Sequence, residues 1–364
     1  MRPSGYRSFA RSSKSLKTPG RAVKPALLLA AIGALSATGS LPSRVYTHAG
    51  HLVAVEPGRR LNLRCMGNGQ PTVVLESGFG DTSMSWRKVQ GQIAQFTRAC
   101  SYDRAGLGFS DAARRPSTAL NAADDLHRLI TVAEIQQPFV LVGHSVGGLY
   151  ATVYAGLYGA DLAGMVLVDP AFAEQDHELD TQIMTAQERA LAKGEVLSLI
   201  ADLKNCAVLA HQGKLGANTV SPANCLRKDP DPVLNAELVR ESARPKTQDA
   251  LLSEAHNFRV HVEGDYSESA LEAVRIRHDF QAMPLIVLTP GAAPKSPLLS
   301  DETYSAREAA RRAGHDRLAA YSSAGRSMVI PNSSPYIQLD QPQSVIDAVH
   351  SVVEQARKRN PATK

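Results

Sequence analysis

Apolar and polar positions along this chain alternate between two periods, one suited to strands and one to helices. His51–Glu56 and Arg60–Cys65 flank the turn pair Pro57-Gly58 and predict a hairpin. Pro71–Glu76 is a short β-branched run ending in Ser77-Gly78-Phe79-Gly80, and Thr97–Tyr102 is a second strand running into Asp103-Arg104-Ala105-Gly106-Leu107-Gly108. Asn121–Ala133 has helical spacing, with Leu126, Leu129 and Ile130 on one face. Pro138–Val142 is an apolar strand, Gly147–Tyr158 a helix of small residues, and Gly164–Val168 the next strand. Strands that alternate with helices, several of them apolar throughout, predict an α/β fold with a mostly parallel sheet covered on both faces.

The rhythm breaks from Ala171 to about Ala282, where the chain is polar, helix-leaning and interrupted by Pro and Gly. It resumes with the strand Pro284–Thr289, a helix around Ser305–Tyr321, the strand Ser327–Pro331 and an amphipathic helix from Pro342 to about Arg357. The expected organisation is one core in two segments, residues 45–170 and 283–358, interrupted by a mainly helical cap at 171–282.

Composition changes this picture in one place. With 364 residues, 43% of them hydrophobic and 21% charged, the chain has the make-up of a soluble globular protein and not of a polytopic membrane protein. Its formal net charge of +5 would suggest a nucleic-acid partner. Yet seven cations, Arg2, Arg7, Arg11, Lys14, Lys17, Arg21 and Lys24, lie in the leader, and no acid precedes Glu56; without them the remainder carries a net −2. The basic character belongs to the leader, so no nucleic acid is expected as a partner. After those cations comes an apolar run, Ala26–Leu35, followed by the small residues Ser36-Ala37-Thr38-Gly39-Ser40. The run is too short for a spanning helix, which needs about 20 residues, and suits a signal peptide cleaved near Ser36 or Gly39. The protein is therefore expected to be exported, to the periplasm or outside the cell, with membrane contact only through an uncleaved leader. Four cysteines agree with export, and Cys206 and Cys225, in one irregular stretch, are expected to close a loop of about 19 residues. No Cys-x-x-Cys or clustered His/Cys spacing suggests a metal, and no cofactor is implied.

The chemistry centres on Gly143-His144-Ser145-Val146-Gly147, placed between an apolar strand and a small-residue helix. Glycines on either side leave room for a tight strand-to-helix turn that exposes the serine at a helix N-terminus, where developing negative charge is favoured. His144 is expected to face away from the reaction as a packing or hydrogen-bonded residue.

This turn, Leu75–Gly80, Tyr102–Ser110 and Tyr336-Ile337-Gln338-Leu339-Asp340-Gln341-Pro342 resemble the α/β-hydrolase superfamily, and within it the esterase, perhydrolase and dehalogenase-like proteins with a cap. The resemblance covers roughly residues 50–170 and 283–355. It implies Ser145 as the catalytic nucleophile, with the backbone N–H groups of Phe79 and Val146 as the oxyanion hole. It also implies that the strands ending in Cys65 and Cys100 are neighbours, so those two cysteines can pair. Serine at the turn argues against the epoxide-hydrolase and dehalogenase reactions, which need Asp there. The acid that orients the base follows one of two strands: Asp169 is favoured, Asp301 is the alternative, and Asp169 could instead merely cap the turn before Pro170.

The expected histidine is missing. Its place, before Tyr336-Ile337-Gln338-Leu339-Asp340, holds Pro335, which can take no proton, and no histidine lies between His315 and His350. A cap histidine (His177, His256, His261 or His278) could reach the serine, residual catalysis could run on the oxyanion hole alone, or the fold could bind without turnover. The chain is thus expected to be a serine hydrolase for a small lipophilic ester, thioester or lactone, with a small-molecule ligand-binding protein of the same fold as the alternative.

Overall fold

The computed structural model describes residues 43–216 and 225–359, so the expected leader lies outside the described residues. Ten strands occur among them: β1 (His51–Glu56), β2 (Arg59–Met66), β3 (Val73–Glu76), β4 (Ala99–Tyr102), β5 (Phe139–His144), β6 (Leu162–Val168), β7 (His261–Glu263), β8 (Tyr266–Ser267), β9 (Leu285–Pro290) and β10 (Gly325–Ile330). Eight form one sheet in the order β1-β2-β4-β3-β5-β6-β9-β10. Only β2 runs against its neighbours, and every other pairing is parallel.

The central strands are apolar throughout because both of their faces are covered. In β5, Phe139 and Leu141 pack with Leu126, Leu129 and Val153 on one side, while Val140 and Val142 pack with Val345, Val349 and Val352 on the other. β6 and β9 divide in the same way, with Met165, Leu167, Leu285 and Val287 facing one layer and Val166, Val168, Ile286 and Leu288 the other. Period-2 side chains thus feed two helical layers. Helices Ala119–Val132 and Val146–Tyr158 supply the first layer, and Pro342–Arg359 supplies the second. The last of these buries Val345, Ile346, Val349, Val352, Val353 and Ala356, spacings that place one apolar stripe on the sheet. The sheet's edges look different. β1 buries Val53 and Val55 but exposes Ala54, and β10 exposes Met328 and Val329.

Between β6 and β9 lie helices Ala186–His211, Pro232–Ser242, Pro245–Arg259 and Glu268–Val274, with the small β7–β8 hairpin as the only sheet there among the described residues. Helix starts in this stretch are locally encoded. Thr185 and Glu188 form a reciprocal capping box, and the Asp231 carboxylate accepts from Val233 and Leu234 ahead of Pro232. Both cysteine pairs are bridged: Cys65 and Cys100 face each other directly across β2 and β4, and Cys206 joins Cys225.

Candidate active site

β5 ends at His144 and the helix begins at Val146, so Ser145 alone must turn the chain. It does so at φ 52° and ψ −123°, a left-handed conformation that costs a non-glycine residue energy and is held only where the surroundings fix it. The flanking glycines are what permit the turn. A Cβ on Gly143 would sit 2.6 Å from the Gly147 carbonyl oxygen, and one on Gly147 would press into the Ser77 carbonyl and lie 2.9 Å from the Glu76 side chain. The Ser145 N–H donates to Val168 O (3.0 Å), and Ala171 N–H donates to Ser145 O (2.9 Å). The elbow is therefore tied to the end of β6.

Phe79 lies in the loop after β3. The N–H groups of Phe79 and Val146 have no hydrogen-bond partner among the described residues. Several of the loop's other polar groups are engaged. The Arg104 guanidinium donates to Ser77 O and Gly78 O, each at 2.6 Å, and Asp81 N–H donates to Gly78 O (3.1 Å). Gly80 N–H donates to the Glu254 carboxylate (2.8 Å), while Arg227 donates to Gly80 O and Asp81. Arg104 is itself buried between Glu76 (2.6 Å) and Glu254 (2.7 Å), and Tyr102 donates to Glu76. Ser77 fits a slot in which its hydroxyl accepts from Trp86 Nε1 (3.0 Å) and donates to Thr82 O (2.9 Å). The stretch between β6 and β9 thus makes polar contacts with the loop through Arg227 and Glu254. Sequence reasoning missed both, because their partners lie far along the chain and no local motif marks them. Arg104 stood inside a quoted motif, yet its partner Glu254 is 150 positions away.

Asp169 follows β6 directly, and since His144 pairs with Val168 in register, it stands beside Ser145. It too has a left-handed backbone, φ 41°. Its Oδ1 accepts from Arg311 Nη1 (2.7 Å), and Arg311 is also paired with Glu308. Burial pushes the Asp169 carboxyl up to about 6, against the pull of Arg311. Asp301 is placed elsewhere. It opens helix Asp301–Ala319 on the surface, with its side chain almost wholly exposed and paired with Lys295.

Every histidine considered for the base has another occupation or an exposed position. His177 contacts Asp265 (2.9 Å), His261 contacts Asp176 (3.0 Å), and His278 contacts Ala273 O (3.0 Å) and stacks on Tyr321. His256 is exposed near the end of helix Pro245–Arg259. His315 is buried between Thr289 Oγ1 (2.7 Å) and Pro170 O (3.0 Å), and burial drives its pKa down to about 3. None of them hydrogen-bonds to Ser145.

His144 has a role of its own. Its Nε2 lies 3.1 Å from the Pro335 carbonyl oxygen, which can only accept, so Nε2 carries the proton and Nδ1 is bare. Nδ1 is buried without a partner, and a Cβ on Gly78 would come within 2.7 Å of it. Burial lowers the His144 pKa, consistent with the neutral ring. Through this bond the Pro335 loop is fastened to the residue preceding Ser145.

Comparison with known proteins agrees with this geometry. YqjL of Bacillus subtilis, an uncharacterized protein, is 33% identical over 108 residues, 30% of this chain and 43% of that protein. The chain thus matches less than half the length of that relative. Among solved structures, an esterase from Thermogutta terrifontis superposes with a TM-score of 0.52 at 19% identity, covering 84% of this chain and 97% of that one. Est816, an N-acyl homoserine lactone degrading enzyme, gives 0.51 at 17% identity, covering 83% and 100%. These likenesses show the fold. A family model matches residues 73–348, most of the chain and both segments of the core, and on that match the protein belongs to the alpha/beta hydrolase family.

Proposed function

We propose that this protein is an exported serine hydrolase acting on a small lipophilic ester, thioester or lactone through an acyl intermediate on Ser145. The observation that carries the reading is the left-handed Ser145 at φ 52°, between an apolar strand and a helix and flanked by glycines that admit no Cβ. In this mechanism Ser145 Oγ attacks the acyl carbon, and the carbonyl oxygen becomes an oxyanion held by the Phe79 and Val146 N–H groups. Both are unpaired among the described residues, and such a donor is typically worth about 3 kcal/mol of barrier. Esterase and lactone-degrading enzymes of the same fold support the choice of acyl substrates. Two disulfides support an oxidising compartment and hence export.

A second reading, a binding protein that holds a small ligand without turnover, is favoured by one observation: Pro335 occupies the histidine's place. Hydrolysis of p-nitrophenyl butyrate, with intact-protein mass after exposure to a fluorophosphonate, separates the two. The hydrolase reading expects turnover and one covalent adduct, both absent from Ser145→Ala. A folded protein with neither activity nor adduct would favour the binding protein.

A further inference from the structure

We infer that Asp169, the neighbour of Ser145 across β5 and β6, serves as its general base, taking the hydroxyl proton directly or through one water in place of the missing imidazole. This rests on Ser145 being the nucleophile. Backbone bonds set the placement: Ser145 N–H to Val168 O and Ala171 N–H to Ser145 O hold the residues on both sides of Asp169 against the elbow. The Asp169 N–H in turn donates to Leu288 O of β9 (2.8 Å), so the aspartate is fixed from both flanking strands. Asp169 and Ser145 are both among the few non-glycine residues with a left-handed backbone. Strain of this kind persists where the surroundings over-determine it and gathers at functional sites.

The carboxylate is held by one oxygen. Oδ1 is taken by Arg311, whereas Oδ2 has no hydrogen-bond partner among the described residues, and the side chain keeps 14% of its surface exposed. Ser145 Oγ likewise bonds to no described group, and the residue is only partly buried. Arg311 therefore fixes the carboxylate while leaving its second oxygen for a proton. Among the described residues His177, His261, His278 and His315 are bonded elsewhere and His256 is exposed, while the bare Nδ1 of His144 is buried against Gly78.

The proton balance closes with water as the only co-reactant. Asp169 Oδ2 takes the Oγ proton as the Oγ–C bond forms, and the carbonyl electron pair moves onto the oxyanion. Collapse of that intermediate breaks the bond to the leaving alkoxide, which takes the proton from Asp169. A water then gives its proton to Asp169 and attacks the acyl carbon. As the Oγ–C bond breaks, Ser145 takes the proton back, and the acid is released.

Burial gives this carboxylate a basicity close to that of an imidazole, about 6, which suits a base working near neutrality. The charged and titratable groups facing it are Arg311, which pulls the value down, and Glu308, which pushes it up. His315, on the same helix, stays neutral. Acylation should therefore rise with pH as Asp169 loses its proton.

The test is the rate of Ser145 acylation by p-nitrophenyl acetate from pH 5 to 8, followed as the nitrophenolate burst and by protein mass. The native protein should gain roughly tenfold between pH 5 and 7.5, half-rising near 6. Asp169→Asn should acylate at least about tenfold more slowly with no such rise. Two variants that keep the aspartate test the assignment even if Asp169→Asn fails to fold: Arg311→Gln should move the half-rise to higher pH, and Glu308→Gln to lower pH. A native pH profile retained in Asp169→Asn, or a half-rise indifferent to both charge variants, would overturn the inference. Absence of any Ser145 adduct, in the native protein and in Pro335→His alike, would instead bring down the nucleophile assignment on which it rests.

Discussion

Ser145 is held in its strained turn by the absence of side chains around it. The glycines at 143 and 147 let β5, the helix and the Ser77 carbonyl approach one another more closely than a Cβ allows. Gly147→Ala would push a methyl group into the backbone that positions Phe79, where no flexible side chain can yield. We expect a loss of about 1–3 kcal/mol in urea unfolding, together with loss of the Ser145 fluorophosphonate adduct. Wild-type labelling in that variant would mean that the loop tolerates displacement. At this scale the sequence was informative where chemistry is local. Ser145 and Asp169 could each be found from a strand's end, and the absence of histidine at 335 was plain. The carboxylate's true partner was not legible, because Arg311 lies on a helix 142 positions away and pairs with Asp169 only once that helix has packed.

At the scale of elements, the loop after β3 is held by two different layers. Arg104 from the core binds the carbonyls of Ser77 and Gly78, and helix Pro245–Arg259 brings Glu254 to the Gly80 N–H. The same helix places Leu251 against Gly80 and Ala250 against Gly106, so there is no space between helix and loops for either glycine to gain a side chain. Arg104 is buried with Glu254 and Glu76 as its ionic partners. Glu254→Gln removes one of those charges and leaves the guanidinium undercompensated. Breaking a buried pair in this way typically costs 3–5 kcal/mol; with Glu76 remaining, we expect about 2–3 kcal/mol in denaturant unfolding. Because the displaced element carries Phe79, kcat should fall more than KM rises. A variant that lost stability alone, with kcat unchanged, would show that Glu254 supports the fold and not the oxyanion loop. Elements themselves were legible to within a few residues, since apolar strands and periodic helices announce themselves. The contact between helix and loop was not, because neither Leu251 nor Glu254 stands out in a polar, helix-leaning stretch.

Over the whole molecule, two covalent ties lie in different parts of the fold. Cys65–Cys100 links neighbouring strands near one edge of the sheet, and Cys206–Cys225 ties helix Ala186–His211 to the segment carrying Arg227. By chain entropy a loop the size of the second is worth roughly 3 kcal/mol. Replacing both Cys206 and Cys225 with Ser should lower unfolding stability by that amount, and the native protein unfolded without reductant should show no reactive thiol. Two or more thiols would contradict the bridges and weaken the case for export. No helix among the described residues is long and apolar enough to cross a membrane. The α/β layering was readable from the sequence because buried parallel strands are apolar on both faces, whereas the stretch between β6 and β9 showed its polarity, its helical lean and its cysteines but not its individual helices.

On the function proposed above, the site lacks only the imidazole expected from the loop after β10. His144 still fastens that loop beside the nucleophile, and it does so through the Pro335 backbone carbonyl, a bond that any side chain at 335 would leave in place. Pro335→His should therefore set an imidazole at Ser145, and general-base catalysis typically contributes 10²–10⁴-fold. The decisive measurement is kcat/KM for p-nitrophenyl butyrate in Pro335→His, with and without Ser145→Ala. We predict a rise of at least about tenfold over the native protein, abolished by the second substitution. A folded Pro335→His protein no faster than the native one, or a gain that survives Ser145→Ala, would contradict the account.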